Sequence, residues 1–315
     1  MNLEAFIIGC GGMMPLPGRH LTSVLLRREG DLFLFDGGEG TQVSLRKLNI
    51  GWKKIKAIFV SHMHADHVTG IPGLLMLSSQ VDREEPLYII GPPRLAEYIY
   101  MNREVLNMYI NYEIIVKEIT EGGIVYTGEG FSVRSFPLKH SKPCFGYTLE
   151  EPNRPGAFYP EKALECGVPR GPLWSKLQSG EPVHTADGRI VFPQEVLGEA
   201  RPGRKFSFVT DSLSVPHIAS EVKNSDLLVC EGMFEQNLAE TAWEKKHMTA
   251  VQAAHIAREA TGVQKLALIH YSPRYTDYGL EILLKEARAI FPRTVLSHDG
   301  MCFPIEYQET VYRSE

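Results

Sequence analysis

Ala57-Ile58-Phe59-Val60-Ser61-His62-Met63-His64-Ala65-Asp66-His67 is the stretch that decides how this chain folds. Its first four residues form a short, wholly apolar run, the mark of a strand covered on both faces. The segment that follows carries three histidines and an aspartate within six positions, His62 to His67. In extended backbone, residues two apart point the same way, so His62 and His64 can grip one cation together. Asp66 and His67 fall beyond them, placed to serve a second. With 11 histidines in 315 residues, such a pattern arises by chance in fewer than about one chain in a thousand. We read the stretch as a metal-binding loop at a strand end.

One hexapeptide cannot complete two sites, so further ligands should stand at other strand ends. Apolar runs at Phe131–Leu138, Phe206–Val209 and Leu266–Ile269 each stop just before a ligand-type residue: His140, Asp211 and His270. Sheets that gather strand ends along one edge would bring these together. Imidazole and carboxylate ligands without thiolate suit zinc, and manganese or iron less specifically.

Outward from there, strands are expected at Ala5–Ile8, Val24–Arg28, Leu32–Phe35, Leu87–Ile90 and Leu227–Val229. Glu29-Gly30 reads as a hairpin turn between two of them. A helical pattern follows Gly91-Pro92-Pro93 through Tyr109, and another helix starts at Thr249, a good N-cap, with Gly262 as its stop. Between roughly Glu150 and Lys205 prolines and glycines crowd together with no core-facing period. This predicts one domain of mixed sheet and helix, residues 1–315, interrupted by a projecting insertion at about 152–204. Few apolar contacts would hold that insertion down, so it is expected to be mobile.

Composition narrows the function classes. At 43% hydrophobic and 23% charged residues the chain has the balance of a globular protein with a large core. A net charge of −5 excludes a basic protein that coats nucleic acid. The five cysteines are scattered without a Cys-x-x-Cys pair, which argues against a disulfide scaffold and for a reducing compartment. Met1–Cys10 lacks the basic and apolar regions of a targeting signal, and no stretch approaches a membrane span; a cytoplasmic location is expected.

Ser61–His67 resembles the signature of the metallo-β-lactamase superfamily, in the form that holds two metals. Other segments resemble one branch of it, the ribonuclease Z family, which removes 3′ trailers from transfer-RNA precursors. Phe35-Asp36-Gly37-Gly38-Glu39-Gly40-Thr41-Gln42 is similar to that family's first motif, Leu138-Lys139-His140 with Phe145-Gly146-Tyr147 to its third, and Ile269–Tyr275 to its last. Gly167-Val168-Pro169-Arg170-Gly171-Pro172-Leu173, with Lys176-Leu177 and Gly180-Glu181, resembles the flexible arm with which the family holds the elbow of transfer RNA. Departures are confined to neighbours of the key residues. Pro15–His20 replaces a Pro-x-x-x-Arg-Asn loop, Thr210-Asp211-Ser212 a Gly-Asp-Thr, and His247-Met248-Thr249 a His-Ser-Thr. Cys230-Glu231-Gly232-Met233-Phe234 keeps the Glu and Phe of a His-Glu-Ala-Thr-Phe motif.

The resemblance implies an αββα sandwich of two mixed sheets, an α/β fold with the arm inserted, and a metal-dependent endoribonuclease that leaves a 3′-hydroxyl on the transfer RNA. It implies two divalent ions, zinc first, one held by His62, His64 and His140, the other by Asp66, His67 and His270, with Asp211 bridging. Asp66 would also accept the proton of the attacking water. Glu231 ends one strand and His247 enters the Thr249 helix, so the pair is expected to supply the acid for the leaving oxygen. Substrate contacts are implied at Arg19 and Arg274 and, in the arm, at Gly167, Pro169, Gly171, Pro172 and Lys176. The implied partners are precursor transfer RNA and a second copy of the chain in a homodimer, with neither DNA nor a membrane. The arm carries only +1 from its own side chains (residues 160–205), so binding there would rest on backbone and shape. Two other readings stand beside this one: a hydrolase of small phosphodiesters, sulfate esters or thioesters, and a non-catalytic protein that inherited the fold. The arm speaks against the first, the complete ligand set against the second.

Overall fold

The computed structural model describes residues 2–81 and 83–308. Along the chain, strands β1 (Leu3–Gly9), β2 (Ser23–Arg28), β3 (Asp31–Phe35), β4 (Ile55–Phe59), β5 (Leu87–Gly91) and β6 (Ile114–Glu118) build most of one sheet. Strands β7 (Gly123–Gly128), β8 (Phe131–Leu138) and β9 (Cys144–Glu150) begin a second. A hairpin of β10 (Val183–His184) and β11 (Ile190–Val191) follows, apart from both. The second sheet resumes with β12 (Lys205–Val209), β13 (Leu227–Glu231), β14 (Leu266–Ile269) and β15 (Thr294–Leu296), and β16 (Cys302–Pro304) returns to the first. The orders are β16-β1-β2-β3-β4-β5-β6 and β15-β14-β13-β12-β9-β8-β7. Both are mixed: β3 to β6 run parallel and β1 to β3 antiparallel, while β12 to β15 run parallel and β7 to β9 antiparallel.

Alternation along the strands sets the layers. In β3, Phe33 and Phe35 point between the sheets, whereas Leu32 and Leu34 point outward. Phe35 meets Phe206 at 5.1 Å and Phe59 meets Tyr147 at 5.4 Å between ring centroids, so aromatic rings join the two sheets. The outward face of the first sheet is covered by Leu74 and Leu75 of the helix Ile71–Ser79 and by Leu95 and Ile99 of the helix Leu95–Val105. The helices Ala250–Glu259 and Asp277–Ile290 pack on the second sheet through Ala253, Ala254, Leu280 and Leu283. The result is the helix–sheet–sheet–helix sandwich. The helix expected through Tyr109 ends at Val105, and the Thr249 helix ends at Glu259, ahead of the left-handed Thr261 and Gly262. Among the described residues, no helix is long and apolar enough to cross a membrane.

The described residues divide into two compact units, one from residues 2–150 with 205–306 and the other from residues 151–204 with 307 and 308. The second unit corrects one expectation. It holds the helices Pro160–Glu165, Pro172–Gln178 and Pro193–Val196 and a core of its own: Ala163, Val168, Leu177, Val183, Val191 and Val196, with Phe158, Leu173 and Trp174 against it. The Trp174 indole donates to the Val168 carbonyl at 3.1 Å. At the base of the unit, Arg204 forms a buried two-pronged ion pair with Glu151, and Tyr307 lies between the guanidiniums of Arg154 and Arg204 (3.7 and 4.2 Å to its ring centre). The segment lacks a core-facing period because each of its helices is too short to repeat one, not because it lacks a core.

Candidate metal centre

The seven candidate ligands converge at one edge of the sandwich. After β4 the backbone stays irregular through Ser61–His64, then makes one short helix, Ala65–Val68, which carries Asp66 and His67. His140 follows β8, Asp211 follows β12 and His270 follows β14. His62 Nε2 lies 2.9 Å from His64 Nδ1, which lies 3.2 Å from His140 Nε2. Asp211 Oδ2 faces this trio, 3.5 Å from His62 and 3.7 Å from His140. A second group stands beside it. His67 Nε2 and His270 Nε2 are 3.2 Å apart, and Asp66 Oδ2 is 3.7 and 3.3 Å from them. Asp211 Oδ1 faces this group at 3.3 and 3.2 Å. One buried carboxylate thus offers one oxygen to each cluster.

Supporting contacts fix the rings. Asp36, just past β3, accepts the Ser61 amide on Oδ1 and the Ser61 hydroxyl on Oδ2, both at 2.7 Å, and holds His67 Nδ1 at 2.7 Å. The Ser61 hydroxyl also meets His62 Nδ1 at 3.0 Å. His140 Nδ1 is held by the Lys246 carbonyl at 2.9 Å, and Asp66 Oδ2 accepts the Met13 amide at 2.7 Å. Such partners orient ligating histidines. Asp36, Ser61, Gly12 and Met13 carry roles here that the sequence does not announce. Asp36 sits within the quoted first motif and follows an apolar run, as the ligands do, and that signal could have found it.

The donor set fits two divalent cations. Burial pushes His62, His64 and His140 toward the neutral form that carries a free lone pair. Burial works against charge on Asp66 and Asp211 too, but the surrounding histidines outweigh it and hold both carboxyls well below their usual range. Around His67, burial is likewise overcome, by Asp211, Asp36 and Asp66, so three carboxylates crowd one imidazole. Facing ring nitrogens about 3 Å apart match the edge of a tetrahedral zinc site, about 3.3 Å for bonds of 2.0–2.1 Å. His270 supplies a further sign. Its buried Nδ1 has no hydrogen-bond partner among the described residues, while its Nε2 faces the cluster. The ring lies against Gly12, where a Cβ would come 2.6 Å from its Cε1.

Beside the clusters, His247 Nδ1 meets Glu231 Oε2 at 3.0 Å, while Glu231 Oε1 accepts the Ser212 amide at 2.6 Å. Burial disfavours the charged imidazole, yet the Glu231 carboxylate, by charge and hydrogen bond, with Asp211 beyond it, lifts His247 to about 9. Arg19 is buried and engaged by the protein: its guanidinium donates to the Tyr275 carbonyl at 3.0 Å and to Asp277 at 3.2 Å. Arg274 lies 5.1 Å over the Phe234 ring and donates to the Ser272 hydroxyl. Gly167, Pro169, Gly171, Pro172 and Lys176 are all exposed and all belong to the second unit, so the metal centre does not include them.

Comparison with known proteins places this architecture. A family model described as the anti-Pycsar protein Apyc1 matches residues 3–143, less than half of the chain. Ribonuclease Z of Treponema denticola is 68% identical over 309 residues, covering 98% of this chain and 100% of the relative. Among solved structures, the short form of human tRNase Z superposes with a TM-score of 0.71 at 25% identity, covering 96% of this chain and 99% of that one. The metallo-β-lactamase fold protein YhfI of Bacillus subtilis, 18% identical over 96% of this chain and 100% of its own, has the same fold with a TM-score of 0.68. With two thirds of its residues shared along its whole length with one of these relatives, and the sandwich and ligand arrangement described above, the chain belongs to the ribonuclease Z family and has the metallo-β-lactamase fold.

Proposed function

We propose that this chain removes the 3′ trailer from precursor transfer RNA by hydrolysis, leaving a 3′-hydroxyl, and that its two clusters hold one divalent ion each. The observation that carries the reading is Asp211, whose two oxygens divide between two groups of histidines. The ligand sets would be His62, His64 and His140 on one side and Asp66, His67 and His270 on the other, with Asp211 shared between them; such imidazole and carboxylate donors suit zinc, and manganese or iron less specifically. Bound there, the pair of ions would polarise the scissile phosphate and acidify the attacking water.

The protein's own groups do the rest. Asp66, steadied by the Met13 amide, accepts a proton from the attacking water. His247, held through Nδ1 by Glu231, keeps its other ring nitrogen for the leaving 3′ oxygen and gives it a proton. The exposed arm residues Gly167, Pro169, Gly171, Pro172 and Lys176 grip transfer RNA, and Arg274 serves the substrate at the unit that holds the histidine clusters. Arg19, occupied by Tyr275 and Asp277, acts by shaping its loop. A homodimer is supported by the apolar side chains of Val105 and Tyr109, about three-quarters exposed. Five unpaired cysteines suit the cytoplasm.

The test offers the metal-loaded protein a precursor transfer RNA and a small chromogenic phosphodiester, with elemental analysis alongside. Cleavage at the trailer junction with two ions per chain is expected. Hydrolysis of the small diester alone would favour the small-substrate reading, and one ion at saturation would sink the dinuclear one.

A further inference from the structure

We infer that a cavity beside the first histidine cluster receives a nucleobase of the single-stranded RNA adjoining the scissile phosphate. This deepens the transfer-RNA reading above and rests on it. The cavity has a volume of about 420 Å³ and is lined by Met63, Pro92, Pro93, Tyr98, Met101 and Lys142, among others. Two of these come from the candidate ligand loops themselves. Met63 stands between His62 and His64, and Lys142 lies two residues past His140. The Ser141 hydroxyl, next to Lys142 in the chain, lies 3.4 Å from His64 Nε2, which sets this loop against the cluster. The cavity therefore opens beside the place where the phosphate must sit.

Its far wall is the turn after β5 and the start of the helix Leu95–Val105. Tyr98 and Met101, three residues apart, share one face of that helix. The Tyr98 hydroxyl donates to the Val68 carbonyl at 3.0 Å, which fixes the ring. Arg94 holds the turn with a left-handed backbone (φ 77°) that a side chain rarely adopts, the kind of strain kept where a wall must be in one place. Two prolines, two thioethers and a phenol ring give a flat, polarisable, largely apolar surface. The volume lies within the range of small-ligand pockets.

Charge selects the occupant. Glu97 neutralises Arg94 through two hydrogen bonds, at 2.8 and 3.1 Å. Lys142 makes no hydrogen bond or ion pair among the described residues, so the rim keeps one uncompensated cation. An apolar slot with a single ammonium at its mouth, next to a phosphodiester-cleaving centre, suits one nucleotide: the base stacks inside and its phosphate meets Lys142. Binding there fixes how the strand lies across the ions, and so which phosphate is presented.

The experiment uses precursor transfer RNAs in which the nucleotide on one side or the other of the scissile phosphate is abasic. For wild-type protein, one of the two abasic positions should lower kcat/KM by about fivefold to a hundredfold, the worth of one stacked base. Met101→Glu, at a half-exposed helix position, should bring the intact substrate down to the abasic level and lose nothing more on the abasic one. Met101→Ala is the milder variant, expected to narrow the same ratio part of the way should glutamate disturb the helix. Indifference of wild type to both abasic positions, or an unchanged ratio in both variants, overturns the pocket while leaving trailer cleavage standing. A wild-type protein that hydrolyses a small diester but no precursor overturns the transfer-RNA reading, and the pocket with it.

Discussion

His247 and Gly12 lie at opposite extremes of what a residue can contribute to this centre: one by its ring, the other by having no side chain. His247 lies 3.8 Å from Asp211 and its ring stands 5.2 Å from that of His140 and 5.4 Å from that of His270, while its Nδ1 is taken by Glu231. His247→Ala should therefore lower kcat by about 10²–10⁴ with the metal content unchanged by elemental analysis. An unaltered cleavage rate would remove it from the mechanism. Gly12→Ala should act on the metal instead. The added carbon would meet the His270 ring at 2.6 Å, and the backbone cannot recoil easily because the Gly12 amide donates to the Tyr271 carbonyl at 3.0 Å. Affinity measured by competition with a chelator should fall by about 10–100-fold, as it does when a ligand loses its support. The candidate ligands were legible because each follows an apolar run and together they make a set. Asp36 follows such a run too, but a lone aspartate after a hairpin strand looks like any turn residue. Gly12 gives no sign, since what matters is the space it leaves.

At the scale of elements, the segment that carries His247 is pinned by the helix after it. Thr249 caps Ala250–Glu259: its hydroxyl accepts the Gln252 amide at 3.2 Å, while Gln252 Oε1 takes the Thr249 amide at 2.9 Å. The same hydroxyl donates to Gln236 at 2.8 Å, tying the cap to the loop after β13. Thr249→Val keeps the shape and the amide bond but loses the two hydroxyl bonds. It should cost about 1 kcal/mol, lowering Tm by about 2–4 °C, and Thr249→Ser should restore most of it. A Tm equal to wild type for Thr249→Val would mean that the cap contributes nothing. This helix was legible from its cap at Thr249 and its stop at Gly262. The strands Gly123–Gly128 and Cys144–Glu150 were not read, the first because half-exposed residues blur its alternation, the second because six consecutive buried residues show no period.

At the scale of the whole molecule, charge on the arm can be varied without touching its core. Excising Gly167–Gly180 would remove Val168 and Leu177, two of the buried side chains that hold the second unit together. Reversing the exposed Arg170 and Lys176 to glutamate is the cleaner change. The ratio of precursor to small-diester kcat/KM should fall about tenfold, because binding energy gathered on the arm helps only a substrate that touches it as well as the reacting centre. Equal losses on both substrates would make the arm structural. A domain of mixed sheet and helix could be foreseen from short apolar runs between turn signals, and the sandwich from the family resemblance; the arm's interior could not, since three short helices and a two-residue hairpin never complete a period. That separate interior has a calorimetric consequence. Two cores in one chain need not melt as one, and a single transition temperature then describes neither. Ions bound at the histidine clusters stabilise the unit that contains them, by about 4 kcal/mol at a thousandfold excess over Kd. A chelator should pull down one endotherm in a heating scan and leave the arm's where it was, so that the distance between the two peaks reads out metal occupancy.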